Sequence, residues 1–201
     1  MSMIQVRHST EVEIPETTAT RLLSQLLGQV AQDPGQSAVK VRVTTAPRIG
    51  QPWPGQGGVY AGIMRGHDGK PDYHLIVPAD PAAYTDGITW GPRGRDIEGA
   101  KCEWDGRANT FALYSDGRDH PAAEWAYGLD IDGHNDFYLP SRRELRLMWT
   151  NVPELFEPGW YWSSTQCSAG NAWLQGFGDG TQNILDKDGE YRARAVRRLI
   201  I

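Results

Sequence analysis

Three features of the sequence predict an α+β fold. An opening pair of strand-like runs, Val59-Tyr60-Ala61-Gly62-Ile63-Met64 and Tyr73-His74-Leu75-Ile76-Val77, flanks a His67-Asp68-Gly69 turn and reads as a hairpin. Helical spacing then occupies the middle of the chain, and after Gly159 the pattern changes to short strands separated by turns. With 23 Gly and 13 Pro in 201 residues, much of the chain must be turn and loop, yet eight Trp and eight Tyr supply large rings to pin those loops.

In chain order, Leu22, Leu23, Leu26, Leu27 and Val30 are spaced for an amphipathic helix over residues 17–32, capped by Thr17 or Thr18 and stopped by Asp33-Pro34-Gly35. That stripe is too short to stand alone in water, so the helix docks on the main body or on copies of itself. Residues 38–44 alternate apolar and polar as a strand does. Pro47, Pro52, Pro54 and Gly55-Gln56-Gly57-Gly58 then mark a boundary near residue 50, dividing the chain into an N-terminal helix-plus-strand segment, 1–50, and a main domain, 51–201. In the main domain a helix is expected over 105–114 with Asp105 as cap. A second runs from His120-Pro121 to Tyr127 with Asp119 as cap and Pro121 in the first turn. Ser141-Arg142-Arg143-Glu144 is a capping box that opens a third helix, with Leu145, Leu147, Met148 and Trp149 on its buried face and Pro153 ending it. Strands are expected at 160–164, 172–177 and 192–200, with Asp179-Gly180 and Asp188-Gly189 as hairpin turns.

Composition excludes several classes. The formal charge is −5 and the mean hydropathy −0.53, and no apolar run approaches the ~20 residues of a spanning helix, so membrane insertion is not expected. Nucleic acid is not an expected partner either, because the basic cluster Arg192, Arg194, Arg197 and Arg198 alternates with Ala193, Ala195 and Val196 as a surface strand would. The first residues lack a secretory pattern, so the chain is expected to stay in a cytosol or to leave it by a route needing no signal.

Phe137-Tyr138-Leu139-Pro140-Ser141-Arg142-Arg143-Glu144-Leu145, then Tyr161-Trp162-Ser163-Ser164-Thr165, Ala172-Trp173, Phe177-Gly178-Asp179-Gly180 and Arg194-Ala195-Val196-Arg197-Arg198 together resemble the Lcl C-terminal domain family of bacteria and phages. Gly57 to Ile63 and Asp105 to Thr110 extend the resemblance over residues 55 to 201. It implies a C-type-lectin-like fold, with paired terminal strands and a late set of short antiparallel strands, related in architecture to phage tropism determinants and formylglycine-generating enzymes. It further implies a non-enzymatic phage or prophage virion protein, tail- or surface-associated, whose late strand-and-loop surface binds a carbohydrate or protein on the host. The N-terminal segment would engage other virion proteins, and family analogy with the short Leu stripe suggests a homo-oligomer, a trimer. The alternatives are a virion decoration or connector protein with no host ligand, and an enzyme of the formylglycine-generating type.

The residues themselves offer little catalytic chemistry. A reactive thiol needs a neighbouring cation, and none lies near Cys167 in sequence, while Cys102 stands far from it, though the two could pair in space. No catalytic residues, metal ligands or cofactor are expected: the acidic calcium-lectin motifs are absent, the loop from Asp130 to Asp136 lacks a terminal Glu, and the histidines have no zinc spacing. Gly55-Gln56-Gly57-Gly58 precedes a strand and lacks the ending of a phosphate loop. Binding has a positive argument. Small polar side chains beside an aromatic anchor hydrogen-bond at low entropic cost. The candidate ligand-binding residues are Gln166, Ser168, Asn171, Trp173, Gln175, Asp179, Thr181, Gln182 and Asn183. Trp160 or Trp162 must serve the core, whereas Trp173 reads equally as core ring or as platform.

Overall fold

The computed structural model describes residues 13–14, 42–43 and 45–201. The chain divides into two units, Met1–Ala46 with Ile201, and Pro47–Ile200. In the first, β1 (Glu13–Ile14) pairs in parallel with β2 (Arg42–Val43). The helix expected over 17–32, and the strand expected over 38–44 apart from Arg42–Val43, lie outside the described residues.

The second unit is α+β. One sheet, in the order β11-β5-β4-β3, takes β3 (Pro52–Trp53), β4 (Gly58–Met64), β5 (Tyr73–Pro78) and β11 (Arg197–Ile200). The other, β6-β10-β7-β8-β9, takes β6 (Tyr84–Thr89), β7 (Trp160–Gln166), β8 (Asn171–Gly176), β9 (Gln182–Asp186) and β10 (Glu190–Arg194). Between them in sequence come α1 (Gly106–Ser115), α2 (Pro121–Tyr127) and α3 (Arg142–Asn151).

Two of the three helices, α1 and α3, start where a side-chain oxygen meets the first free amides. Asp105 accepts from Ala108 N at 3.0 Å to open α1. Ser141 and Glu144 close their box on α3. At α2 the cap is His120, one residue later than Asp119, because the Glu124 carboxylate reaches back to the His120 amide at 2.9 Å.

The run expected as one strand over 192–200 is two strands on different sheets. Ala195 N donates to Ala83 O, and Val196 exchanges backbone bonds with Tyr138, so the chain leaves one sheet and enters the other at these residues. As a result β11 pairs with β5, the second long strand of the opening hairpin, and the expected direct pairing of first and last strands is replaced by this one. The arginines flanking the crossing are not a free basic face. Arg192 binds Asp86, Arg194 donates to the carbonyls of Leu155 and Pro78, Arg197 is buried against Asp136 and Gln56, and Arg198 binds Asp105.

Two cores lie on either side of a shared layer. In the segment 137–139, Phe137 and Leu139 enter one core with Trp90, Leu113 and Trp162, while Tyr138 enters the other with Leu75, Leu145, Met148 and Tyr161. Adjacent residues Tyr161 and Trp162 on β7 split the same way, as the two-residue period of extended chain requires. Trp162 is therefore core, and Trp160 is only partly buried against it. A bulge at Gly62, where φ is +116°, lets Asn151 at the end of α3 donate to Ala61 O at 2.8 Å and tie the helix to β4.

Candidate functional site

The first turn of a helix repels cations, because its free amides carry partial positive charge. Yet α3 opens with Arg142 and Arg143. Their compensation is Glu103, whose carboxylate accepts from Arg142 Nη1 at 2.8 Å and Arg143 Nε at 3.3 Å, while its carbonyl accepts from Arg143 N. So fixed, the two guanidiniums cover two different indoles: Arg142 lies 3.5 Å from the centre of the Trp173 ring and Arg143 4.1 Å from that of Trp104. The His67 ring stacks on Trp104 with centroids 5.0 Å apart and planes at 10°.

Beneath this layer sits a fully buried carboxylate. Glu144 accepts from Tyr73 OH at 2.7 Å, Tyr138 OH at 2.6 Å, Ser141 N at 2.7 Å and Gly106 N at 3.1 Å. Burial pushes its pKa above the ordinary range, and the bonds it accepts pull the other way. Burial and the nearby Glu144 charge raise both tyrosines well above 10. The cluster joins β5, α1, the 137–139 segment and α3, and so sets where the first turn of α3 points.

The register of β8 on β9 sets Trp173 opposite Ile184, Asn171 opposite Asp186 and Gln175 opposite Gln182. These pairs share one face. On it Trp173 is half-buried beneath Arg142, and Gln182 is bound to Arg142 twice, its Oε1 accepting from the guanidinium at 3.0 Å and its Nε2 donating to the backbone carbonyl at 2.7 Å. Asn171 donates to Asp186 at 2.9 Å. In the β7–β8 loop, Ser168 Oγ accepts from Asn171 N at 3.2 Å and lies 3.1 Å from Asn171 Oδ1. In the β8–β9 turn, exposed Asp179 accepts from Thr181 N at 2.9 Å, which holds its carboxyl below the usual range. The two loops lie at opposite ends of a strand of 6 residues, roughly 20 Å apart at about 3.3 Å per residue. The exposed candidates thus form a strip rather than a pit.

Three of the expected ligand-binding residues do not join that strip. Gln166 is buried, with its Oε1 accepting from Ile97 N and Lys187 Nζ and its amide nitrogen donating to Asp96. Gln175 is fully buried and donates to the Gly176 and Thr181 carbonyls across the β8–β9 turn. Gln166 is consumed by internal bonds, whereas Gln175 leaves its Oε1 buried without a partner; both are covered by packing above their strands, since Asn171 and Trp173 on the same β8 as Gln175 stay half-buried. Asn183 is exposed but pairs with Leu174, placing it on the alternate face from Trp173, and its Oδ1 accepts from the Ile184 amide at 2.8 Å. Arg142, Glu103 and Trp104 were outside the expected set. Two arginines inside a capping box were the available signal, since cations in a first turn require partners from elsewhere in the chain.

Cys102 and Cys167 are both free thiols, the first partly buried and the second exposed. No group of three or more potential metal ligands occurs among the described residues. No family model matches the chain, and no curated protein matches it.

Proposed function

We propose that the chain is a non-enzymatic virion protein of a phage or prophage whose second unit, C-type-lectin-like in kind, binds a carbohydrate or protein on the host surface. The observation that carries the proposal is the Arg142–Trp173 pair. An indole and a guanidinium held at 3.5 Å by Glu103 and Gln182 form a rigid, amphipathic platform at the middle of a strip that runs to Ser168 and Asn171 at one end and to Asp179 and Thr181 at the other. Rigid aromatic anchors flanked by short polar side chains bind partners with little ordering cost. The resemblance of residues 55 to 201 to the Lcl C-terminal domain family supports the same surface and supplies the virion setting. Attachment through residues 1–50, and assembly as a trimer, belong to this proposal.

A second reading, a decoration or connector protein, draws on a different observation. Phe111, Tyr114 and Tyr127 are exposed together on α1 and α2, with the two tyrosines stacked at 4.2 Å. Such a patch suits contact with another protein.

The test is binding of the purified chain to host-type cells and a glycan array, beside a Trp173→Ala, Thr181→Ala variant whose fold is checked by circular dichroism. The proposal expects a specific wild-type signal that falls at least about tenfold in the folded variant. A folded wild-type protein with no signal on either surface would transfer the reading to the decoration role.

A further inference from the structure

Beside Trp104, a pocket of about 110 Å³ opens between the β4–β5 turn, the loop before α1 and β11. Trp104, Pro71 and Ile200 give it an apolar wall, Tyr73 and Cys102 line it, and Lys70, Asp105 and Arg198 supply its charge.

Its hydrogen-bonding capacity is unbalanced. Asp105 is the buried acceptor, and its two oxygens already receive Lys70 Nζ at 2.8 Å, Arg198 Nη1 at 3.0 Å and Ala108 N at 3.0 Å. Burial alone would raise its pKa, but Lys70, the Ala108 amide and Arg198 outweigh that and keep it ionised at neutral pH. Glu144, behind Tyr73, has its oxygens engaged by hydroxyls and amides. The donors are different. Among the described residues the side chains of Lys70 and Arg198 each make no hydrogen bond beyond the one to Asp105, and the buried Arg198 Nε has no partner. A lysine ammonium offers three N–H groups and a guanidinium five, so most of the pocket's donors are uncommitted. Arg65 adds a cation at the rim, where Asp68 pairs with His67 at 3.2 Å.

Two cations sharing one carboxylate leave a net positive, donor-rich corner beside an apolar wall. A doubly charged phosphate would set a second negative charge against ionised Asp105 and leave the apolar wall unused, whereas a monoanion with an apolar or ring-shaped body satisfies both halves. We propose that this pocket binds a small organic carboxylate, held by Lys70 and Arg198 with its body against Trp104. The proposal stands independently of the Arg142–Trp173 strip.

Cys102 provides a readout inside the pocket. In a Cys167→Ser background, the rate of Cys102 alkylation by iodoacetamide is measured with D-glucuronate, D-glucose, inorganic phosphate or sodium chloride at constant ionic strength. Binding is followed in parallel by amide chemical-shift changes. Glucuronate is expected to slow alkylation at least about threefold at saturation while glucose and chloride do not, since only the first carries both a carboxylate and a ring-shaped body. Lys70→Gln, at a largely exposed position that leaves the fold intact, is expected to weaken glucuronate binding about tenfold, and Arg198→Lys to weaken it further. Equal protection by glucuronate and glucose, phosphate protecting as well as glucuronate, or an unchanged affinity in folded Lys70→Gln would each overturn the assignment.

Discussion

Glu144 accepts from two hydroxyls and two backbone amides, and the amides cannot exchange roles with it. Replacing it by Gln swaps one acceptor oxygen for an NH2 group that either opposes the Gly106 and Ser141 amides, which can only donate, or forces the Tyr73 and Tyr138 hydroxyls to turn and accept. The expected cost is about 3 kcal/mol of unfolding free energy, read as a lowered urea midpoint with an unchanged slope. The residue was legible in the sequence only as half of a capping box. That half needs three neighbouring positions, whereas its bonds to Tyr73 and Gly106 cross 71 and 38 residues and leave no local pattern. The same divide runs through the candidate site. Trp173 was visible as an aromatic among small polar residues, but its cover, Arg142, arrives from another element. Gln166 and Gln175 looked like ligand contacts because polar side chains in a late loop-and-strand region read as surface, and sequence does not show that Asp96, Ile97 and Lys187 close over the first or that the β8–β9 turn takes up the amide of the second.

At the level of elements, α3 and its supports are held close by a missing side chain. A Cβ placed on Gly106 would strike Glu144 Oε2, and it would also lie 2.5 Å from Ser141 N and 2.8 Å from Leu139 O. Two of those obstacles are backbone, so rotation of a side chain cannot relieve them. Gly106→Ala is expected to cost about 2 kcal/mol or more, seen as a lower thermal midpoint, although alanine is the better helix former in isolation. Helix starts were readable because caps are local chemistry. Strand partition was not. The alternation over 192–200 continues without a break across Ala195-Val196, and what divides it there is the capture of those backbones by Ala83 and Tyr138 from distant segments. β6 and β9 escaped for a related reason: Thr, Asp, Gly and Asn on sheet-edge strands give no continuous apolar or alternating run.

For the whole molecule, one buried cation should govern stability under mildly alkaline conditions. Lys187 is fully buried, donates to Arg95 O and Gln166 Oε1, and sits 4.6 Å from the centre of the Trp90 ring. Burial brings its pKa down from 10.5 to about 8. Between those values the unfolded chain binds the extra proton, so stability should rise with pH from about 8. The rise should end near pH 10, where ordinary tyrosines ionise in the unfolded chain while folded Tyr73 and Tyr138 hold their protons. Urea midpoints at steps across this window should climb for the wild type and stay flat for Lys187→Met; a flat wild-type profile would show that the lysine keeps its ordinary affinity for protons. The outermost strand of the larger sheet bears on solubility at the same scale. β9 closes that sheet, yet the Ile184 amide is already occupied by the side chain of Asn183, and Asp186 at its end is paired with Arg93 at 3.1 Å. A strand whose outward amide is engaged and whose end is charged is a poor template for another strand. Neighbouring copies packed at high local density can therefore approach along this border without their sheets fusing into a continuous ribbon.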